Sequence, residues 1–357
     1  MIVMPELNIG GLIVPVPIIQ GGMGVKISLS GLAAAVANEG GVGVIASVGL
    51  GDHKNFNGNY AEANAAALIV EIGKARSMSG GVIGVNAMVA LTDYESLVRA
   101  SVEAGADLLI TGAGFCENLP EIVGDSLMKL VPITSYGRFA GKMCEAWEKY
   151  GRLPDAIVVE GPKAGGHLGF GRKKLENPEF VESALEKEVV RTIREVEKFG
   201  NIPVIAAGGI YTGEDIYKAF SWGAAGVQMG TRFVVTYECD ANIKFKEEYL
   251  RARKEDIVLI DSPVGLVGRA INNEYLERIA RGEGGKFGCY YHCLEKCNPQ
   301  ESPYCIANAL TNSGAGRLSR GFAFSGANAY RCDKIIPVKE LMDILKKGYS
   351  EAAASKK

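Results

Sequence analysis

Short apolar runs rich in Val and Ile recur along the chain at residues 16–20, 42–47, 82–88, 108–111, 130–135, 156–160, 204–207 and 226–230. They carry few charges, as parallel strands covered on both faces do; strands with one wet face would alternate polar and apolar positions. Between them the period changes to that of helices. Leu29, Leu32 and Val36 share a face ahead of Gly40, which reads as a helix stop. Leu185, Val189, Ile193 and Val196 form a second stripe, with Glu and Arg on the opposite face and Gly200 at its end. Residues 94–105, 139–151 and 213–223 read the same way. Eight strands, each followed by a helix, predict an α/β fold of the TIM (β/α)8 barrel type. A doubly wound sheet competes but seldom needs eight equivalent units.

From about residue 257 the alternation fails. Residues 269–284 read as a separate helix, and 285–335 are irregular and rich in Cys and Gly. The expected organisation is a cofactor-binding barrel over 1–256 and a C-terminal helical, Cys-rich extension over 257–357 packed on it. No period of 20–50 residues repeats, which excludes a solenoid.

Composition narrows the function. The 357 residues contain 46 glycines, nearly twice the usual share of about 7%, and they gather where strand-like runs end. Lys plus Arg is 39 against 41 for Asp plus Glu, a net charge of -2, which speaks against nucleic acid as a partner. No apolar run is long enough to span a bilayer, and the first residues lack the pattern of a secretory leader. A cytoplasmic enzyme acting on a small molecule is expected, with homo-oligomerisation left open.

Barrel chemistry sits in the loops after the strands. Here those loops read Gln20-Gly21-Gly22-Met23-Gly24, Asn86-Ala87-Met88, Thr111-Gly112-Ala113-Gly114, Glu160 to His167, Ala206 to Ile210, and Gln228 to Arg232. The last two can aim the bare N–H groups of Gly208, Gly209, Gly230 and Thr231 at one phosphate. Thr212 with Asp215 is a capping pair for the helix beyond. A phosphate there, with a cofactor lying across the barrel mouth, suggests FMN. His167 is the sharpest catalytic candidate, since imidazole exchanges a proton near neutrality. Gly165 and Gly166 would let backbone pass close to a flat ring while the imidazole faces substrate.

The segments QGGMG, GVNAM, TGAG, EGPKAGGHLG, PVIAAGGI and VQMGTRF, in this order, resemble the nitronate monooxygenase (2-nitropropane dioxygenase) family. That family-level pattern includes FMN-dependent enoyl-acyl-carrier-protein reductases and NADH:quinone reductases. The resemblance covers about residues 10–275 and implies an FMN barrel. It implies that Gly22 and Met23 present backbone to the flavin ring and that Asn86, Glu160 and Gln228 contact the cofactor. Lys163 would flank it beside Gly165 and Gly166, and Gly208, Gly209, Gly230 and Thr231 would hold the phosphate. His167 would be catalytic or substrate-polarising. The leading activity is oxidation of alkyl nitronates with O2. The alternatives are NAD(P)H-dependent reduction of an enoyl thioester or a quinone, with an iron–sulfur relay conceivable, and a flavin electron carrier that turns over no substrate.

The extension adds a pattern of its own. Cys289, Cys293, Cys297 and Cys305 cluster in CYYHCLEKCNPQESPYC, with His292 among them. A spacing of four places the first three on one side of a helix if that segment is helical. Thiolate-rich sets suit an iron–sulfur cluster or zinc, although the spacing matches neither the common ferredoxin pattern nor a zinc ribbon; reduced structural or redox-sensitive thiols are the alternative. Cys116, Cys144 and Cys239 read as ordinary buried residues. Asn328, Tyr330 or Arg331 could reach back to the cofactor mouth from GFAFSGANAYR. Arg172, Lys173 and Lys174 read either as an anion-attracting group or as solvated surface charge.

Overall fold

A computed structural model describes residues 2–52, 59–285, 287–289 and 291–356. Eight parallel strands close into a barrel: Ile18–Gln20, Val42–Ala46, Val82–Met88, Leu108–Gly112, Lys129–Thr134, Ile157–Glu160, Val204–Ala207 and Gly226–Met229. Each pairs with its neighbours in sequence order. The last strand pairs with the first through Val227 opposite Ile18 and Gln228 opposite Ile19. All eight coincide with the predicted runs to within two residues.

Alternation along the strands sorts side chains between two layers. Val42, Val44, Leu108, Ile110, Val158 and Ile205 fill the barrel interior, while Ile45, Ile83 and Val85 face the outer helices. The interior cluster also contains Leu7, Ile9 and Val14. These come from an antiparallel hairpin, Leu7–Ile9 with Leu12–Val14, which plugs the end of the barrel away from the catalytic loops.

The helix boundaries follow the residues that set them. Thr212 and Asp215 form the expected capping box: Thr212 Oγ1 accepts from Asp215 N–H and the Asp215 carboxylate accepts from Thr212 N–H. The helix Pro178–Val196 and its short 3-10 extension stop at Gly200, whose φ is +112°. After the eighth strand only one helical turn follows, Thr231–Val234. The outer position beside it is taken by the long C-terminal helix Val338–Ser355, packed between the helices Gly213–Ser221 and Ser30–Asn38. That packing needs Gly213, because a Cβ there would lie 2.2 Å from Tyr349 N. Residues 235–337 are thus an excursion between the last strand and the helix that completes the ring.

Within the excursion two expectations are corrected. Residues 269–284 are not one helix; Val267–Ile271 is a strand and only Glu274–Ala280 is helical. The strand pairs antiparallel with Ile257–Asp261 on one side and Gly166–Leu168 on the other, so tertiary pairing outweighs local helix propensity. The cysteine segment is not a helix either: His292 takes φ +46° and turns the chain.

Candidate active site

The glycine-bearing turns end the strands at one mouth of the barrel and enclose a cavity of about 290 Å3. All the residues predicted for cofactor contact lie in its wall: Gly22, Met23, Asn86, Glu160, Lys163, Gly165, Gly166, Gly208, Gly209, Gln228, Gly230 and Thr231. His167 lies there too. Chain close approach explains much of the glycine. A Cβ on Gly22 would fall 2.3 Å from Asn86 Cβ, and one on Gly208, where φ is +87°, 2.7 Å from Gly161 O. A Cβ on Gly230 would meet only Met23 Sδ, at 3.6 Å, so that backbone is bare toward the cavity. Two polar atoms in this wall lack a partner among the described residues, Gln228 Oε1 and Ser325 Oγ. A wall of bare amides with orphaned polar groups suits a polar, phosphorylated ligand.

His167 sits on the strand Gly166–Leu168, opposite Gly268. Its Nε2 shares a 2.7 Å hydrogen bond with Ser262 Oγ, and its ring meets Phe324 edge-on at 5.0 Å. Burial lowers its pKa to about 4, because charging an enclosed imidazole forfeits hydration. It is therefore neutral at physiological pH. Burial has the opposite effect on Glu160, at the end of the sixth strand, and raises its pKa to about 7. Glu160 is the group in this wall that exchanges a proton near neutrality. Lys163 lines the cavity, but its Nζ pairs with Glu182 at 2.6 Å.

Two contributors carried no signal in the sequence. Arg269 is 6% exposed and its Nη1 donates to Pro162 O and Ala164 O, both at 2.6 Å. It locks the loop that carries His167, and burial lowers its pKa to about 10. Ser262 orients the imidazole from a turn in which Gly265 N–H donates to Ser262 O. Both residues come from the excursion and reach the site only through the sheet around 166–168.

The far wall is apolar, with Leu91, Leu294, Ile306, Leu310 and Phe324. It also holds Cys293, packed with Tyr60 and Ala307. At Cys289, Cys293, Cys297 and Cys305, where a metal or reduced thiols are the alternatives, no three His, Cys, Asp or Glu side chains among the described residues are placed to hold a metal ion. Without a helix the four cysteines still lie near one another, Cys293 and Cys305 each feeling the charge of Cys289 and Cys297. Cys289 Sγ accepts from His292 N–H at 3.3 Å, and Cys297 Sγ lies 3.7 Å from Ser302 Oγ. All eight cysteines are free, and burial with the neighbouring Cys305 and Cys289 pushes the Cys293 thiol up to about 12. Of the tail candidates, Asn328 reaches the cavity wall. Arg331 instead lies over the Tyr211 ring, 4.4 Å from its centre, and Tyr330 is 38% exposed. Arg172 is taken up by Asp261 at 2.8 Å and Glu176 at 3.6 Å, whereas Lys173 and Lys174 stay exposed.

A closed eight-stranded barrel with glycine-rich rim loops, a bare-amide cradle and one enclosed imidazole defines a (β/α)8 barrel enzyme. Residues 7–348 match the nitronate monooxygenase family, and the chain belongs to it. Members of this family are oxidoreductases. Among relatives, the chain is 28% identical over 267 residues to a (3aS,4S,5R,7aS)-5-hydroxy-7a-methyl-1-oxo-octahydro-1H-indene-4-carboxyl-CoA dehydrogenase of Rhodococcus jostii. That match covers 74% of this chain and 64% of the relative, so just under two thirds of the curated relative's length is spanned. A probable nitronate monooxygenase of Staphylococcus aureus is 34% identical over 36% of this chain and 35% of its own. The solved structure of FabK from Thermotoga maritima superposes with a TM-score of 0.76 at 27% identity, over 96% of this chain and 94% of that one. Among the described residues no helix is long and apolar enough to cross a membrane.

Proposed function

We propose that this protein is an FMN-dependent oxidoreductase that oxidises alkyl nitronates with O2. The observation supporting this most is that Gly208, Gly209, Gly230 and Thr231 line one cavity together with His167 and the apolar residues Leu294, Ile306 and Leu310. In this reading the four backbone N–H groups hold the phosphate. Gly22, Met23, Asn86, Glu160 and Gln228 lie along the ring, flanked by Lys163 and the bare turn at Gly165 and Gly166. FMN would supply electron acceptance from the substrate and return to O2. The chain's own task is binding, orientation and exclusion of water. A nitronate is already an anion, so no proton has to be removed. The neutral His167 imidazole offers it one hydrogen bond, in an orientation set by Ser262.

The apolar far wall favours a second reading, NAD(P)H-dependent reduction of an enoyl thioester or a quinone, in which Leu294, Ile306 and Leu310 receive an aliphatic chain. Glu160, protonated to about half near pH 7, is then a proton source within the wall. The barrel over 1–256 would bind the cofactor, and the extension over 257–357 would close the substrate end. Anaerobic mixing of the yellow protein with propyl-2-nitronate, NADH or NADPH decides between the two. Bleaching by nitronate alone, with colour restored on aeration, is expected; rapid bleaching by a nicotinamide instead establishes the reductase. A colourless protein that takes up no added FMN sinks both.

A further inference from the structure

The segment 324–328, Phe-Ser-Gly-Ala-Asn, comes from the far end of the excursion yet crosses the phosphate end of the cavity. Ser325 N–H donates to Arg269 O at 3.0 Å, and Ala327 N–H to Lys163 O at 3.0 Å. Gly326 N–H donates to Thr231 Oγ1 at 3.1 Å, and Asn328 Nδ2 to Gly209 O at 2.8 Å. One short strap is thereby bonded to the loops after the sixth, seventh and eighth strands. The fit has no slack, since a Cβ on Gly165 would lie 2.5 Å from Ser325 C and one on Gly326 would lie 2.8 Å from Thr231 Oγ1.

Ser325 is 2% exposed, lies in the cavity wall, and its hydroxyl has no partner among the described residues. An enclosed, unpartnered hydroxyl is destabilising because it has given up water for nothing, so a site that keeps one is organised for a ligand. The same cavity wall holds Gly208, Gly209 and Gly230, whose backbone N–H groups are donors, and Thr231, whose hydroxyl oxygen already accepts from the strap's Gly326 N–H. Of the cations in or beside these loops, Lys163 pairs with Glu182, Arg269 donates to two carbonyls, and Arg232, next to Thr231, lies over the Tyr211 ring with Nη1 on the Tyr211 hydroxyl. The donors that line this stretch of wall are themselves neutral, so an anion with several acceptor oxygens draws on each of them.

We infer that Ser325 Oγ is a ligand of the phosphate and that the strap makes the site select a phosphorylated flavin over riboflavin. This rests on the proposed FMN reading. The test titrates full-length apoprotein, wild type and Ser325→Ala, with FMN and with riboflavin, following flavin fluorescence, and records the 31P resonance of bound FMN. The expected result is an FMN affinity about tenfold weaker or worse in Ser325→Ala, a moved 31P resonance, and riboflavin affinity within twofold of wild type. Equal losses for both flavins, or no loss for FMN, overturn the inference while leaving the FMN reading intact. A wild type that binds neither flavin overturns both. If Ser325→Ala does not fold, Asn328→Ala, which releases the strap from Gly209, carries the same expectation: FMN weakened more than riboflavin, with equal losses overturning it.

Discussion

The two ends of the cavity are built in opposite ways. At the end read as the phosphate site the barrel loops contribute backbone: Gly208 and Gly209 let the loops pack against Gly161 and Lys163, and Gly230 leaves its backbone open to the cavity. At the substrate end the excursion contributes side chains: Ser262 on the imidazole, Arg269 behind the loop, and Leu294, Ile306 and Phe324 against the substrate. The barrel end is made from segments close in sequence to the strand each one terminates. The excursion end is made from residues about 100 positions away from the loop they support, as the 107-residue separation of Arg269 from Pro162 shows. The strap 324–328 is the exception, an excursion segment bonded to the loops after the sixth, seventh and eighth strands, so only variation outside it can alter the other end alone.

Three perturbations test that division, in falling order of effect. Gly165→Val strikes where the two ends meet, since even a Cβ falls 2.5 Å from Ser325 C. Loss of bound flavin by more than a hundredfold, together with a stability loss of about 3 kcal/mol or more, is expected in absorbance and urea titrations; a yellow, stable variant would show that the ends do not press on one another. Arg269→Met next leaves Pro162 O and Ala164 O without their donor. That costs roughly 2–4 kcal/mol in urea unfolding and lowers turnover through the His167 loop, whereas FMN bound to isolated variant protein should weaken less than turnover does. A larger loss of FMN than of turnover would reverse the assignment of the two ends.

The smallest effect concerns pH. The folded pKa of Glu160 is raised to about 7 from an ordinary carboxyl value near 4.5. Its contribution is complete below the unfolded value and is lost as pH rises from about 4.5 through about 7, because the unfolded carboxyl releases its proton first. His167 acts in the other direction: with a folded pKa of about 4 against 6.5, its contribution is present above 6.5 and lost as pH falls toward 4. Between pH 5 and pH 8 the two contributions, about 2 kcal/mol each and opposite in sign, nearly cancel in the apoprotein, and Glu160→Gln should therefore leave a stability that rises with pH by about 2 kcal/mol. An unchanged slope in the variant would place the titration elsewhere.

The eight strands were legible because a parallel strand buried on both faces must be apolar throughout, and runs such as 42–47 and 204–207 permit little else. The capping box at Thr212 and Asp215 was legible for a similar reason, since its partners are three residues apart. The excursion was not. Residues 269–284 carry a helical pattern over a stretch that begins as a strand, because pairing with 166–168 and 257–261 has no local signature. The spacing of four would put three cysteines on one helix side only if the segment were helical, and His292 at φ +46° turns the chain there instead.

What the chain's order of residues determined by itself is the barrel and its glycine-lined mouth, because period, apolarity and turn chemistry act over a few neighbouring residues. Only the tertiary structure decided that Ser262 would hold the imidazole, that Arg269 would brace its loop, and that Ser325 would stand unpartnered beside the bare amides. Those roles depend on where a chain lands after about 100 residues, and the physical reason is that burial and hydrogen bonding reward any route bringing the right groups together, leaving no periodic trace in the residues between.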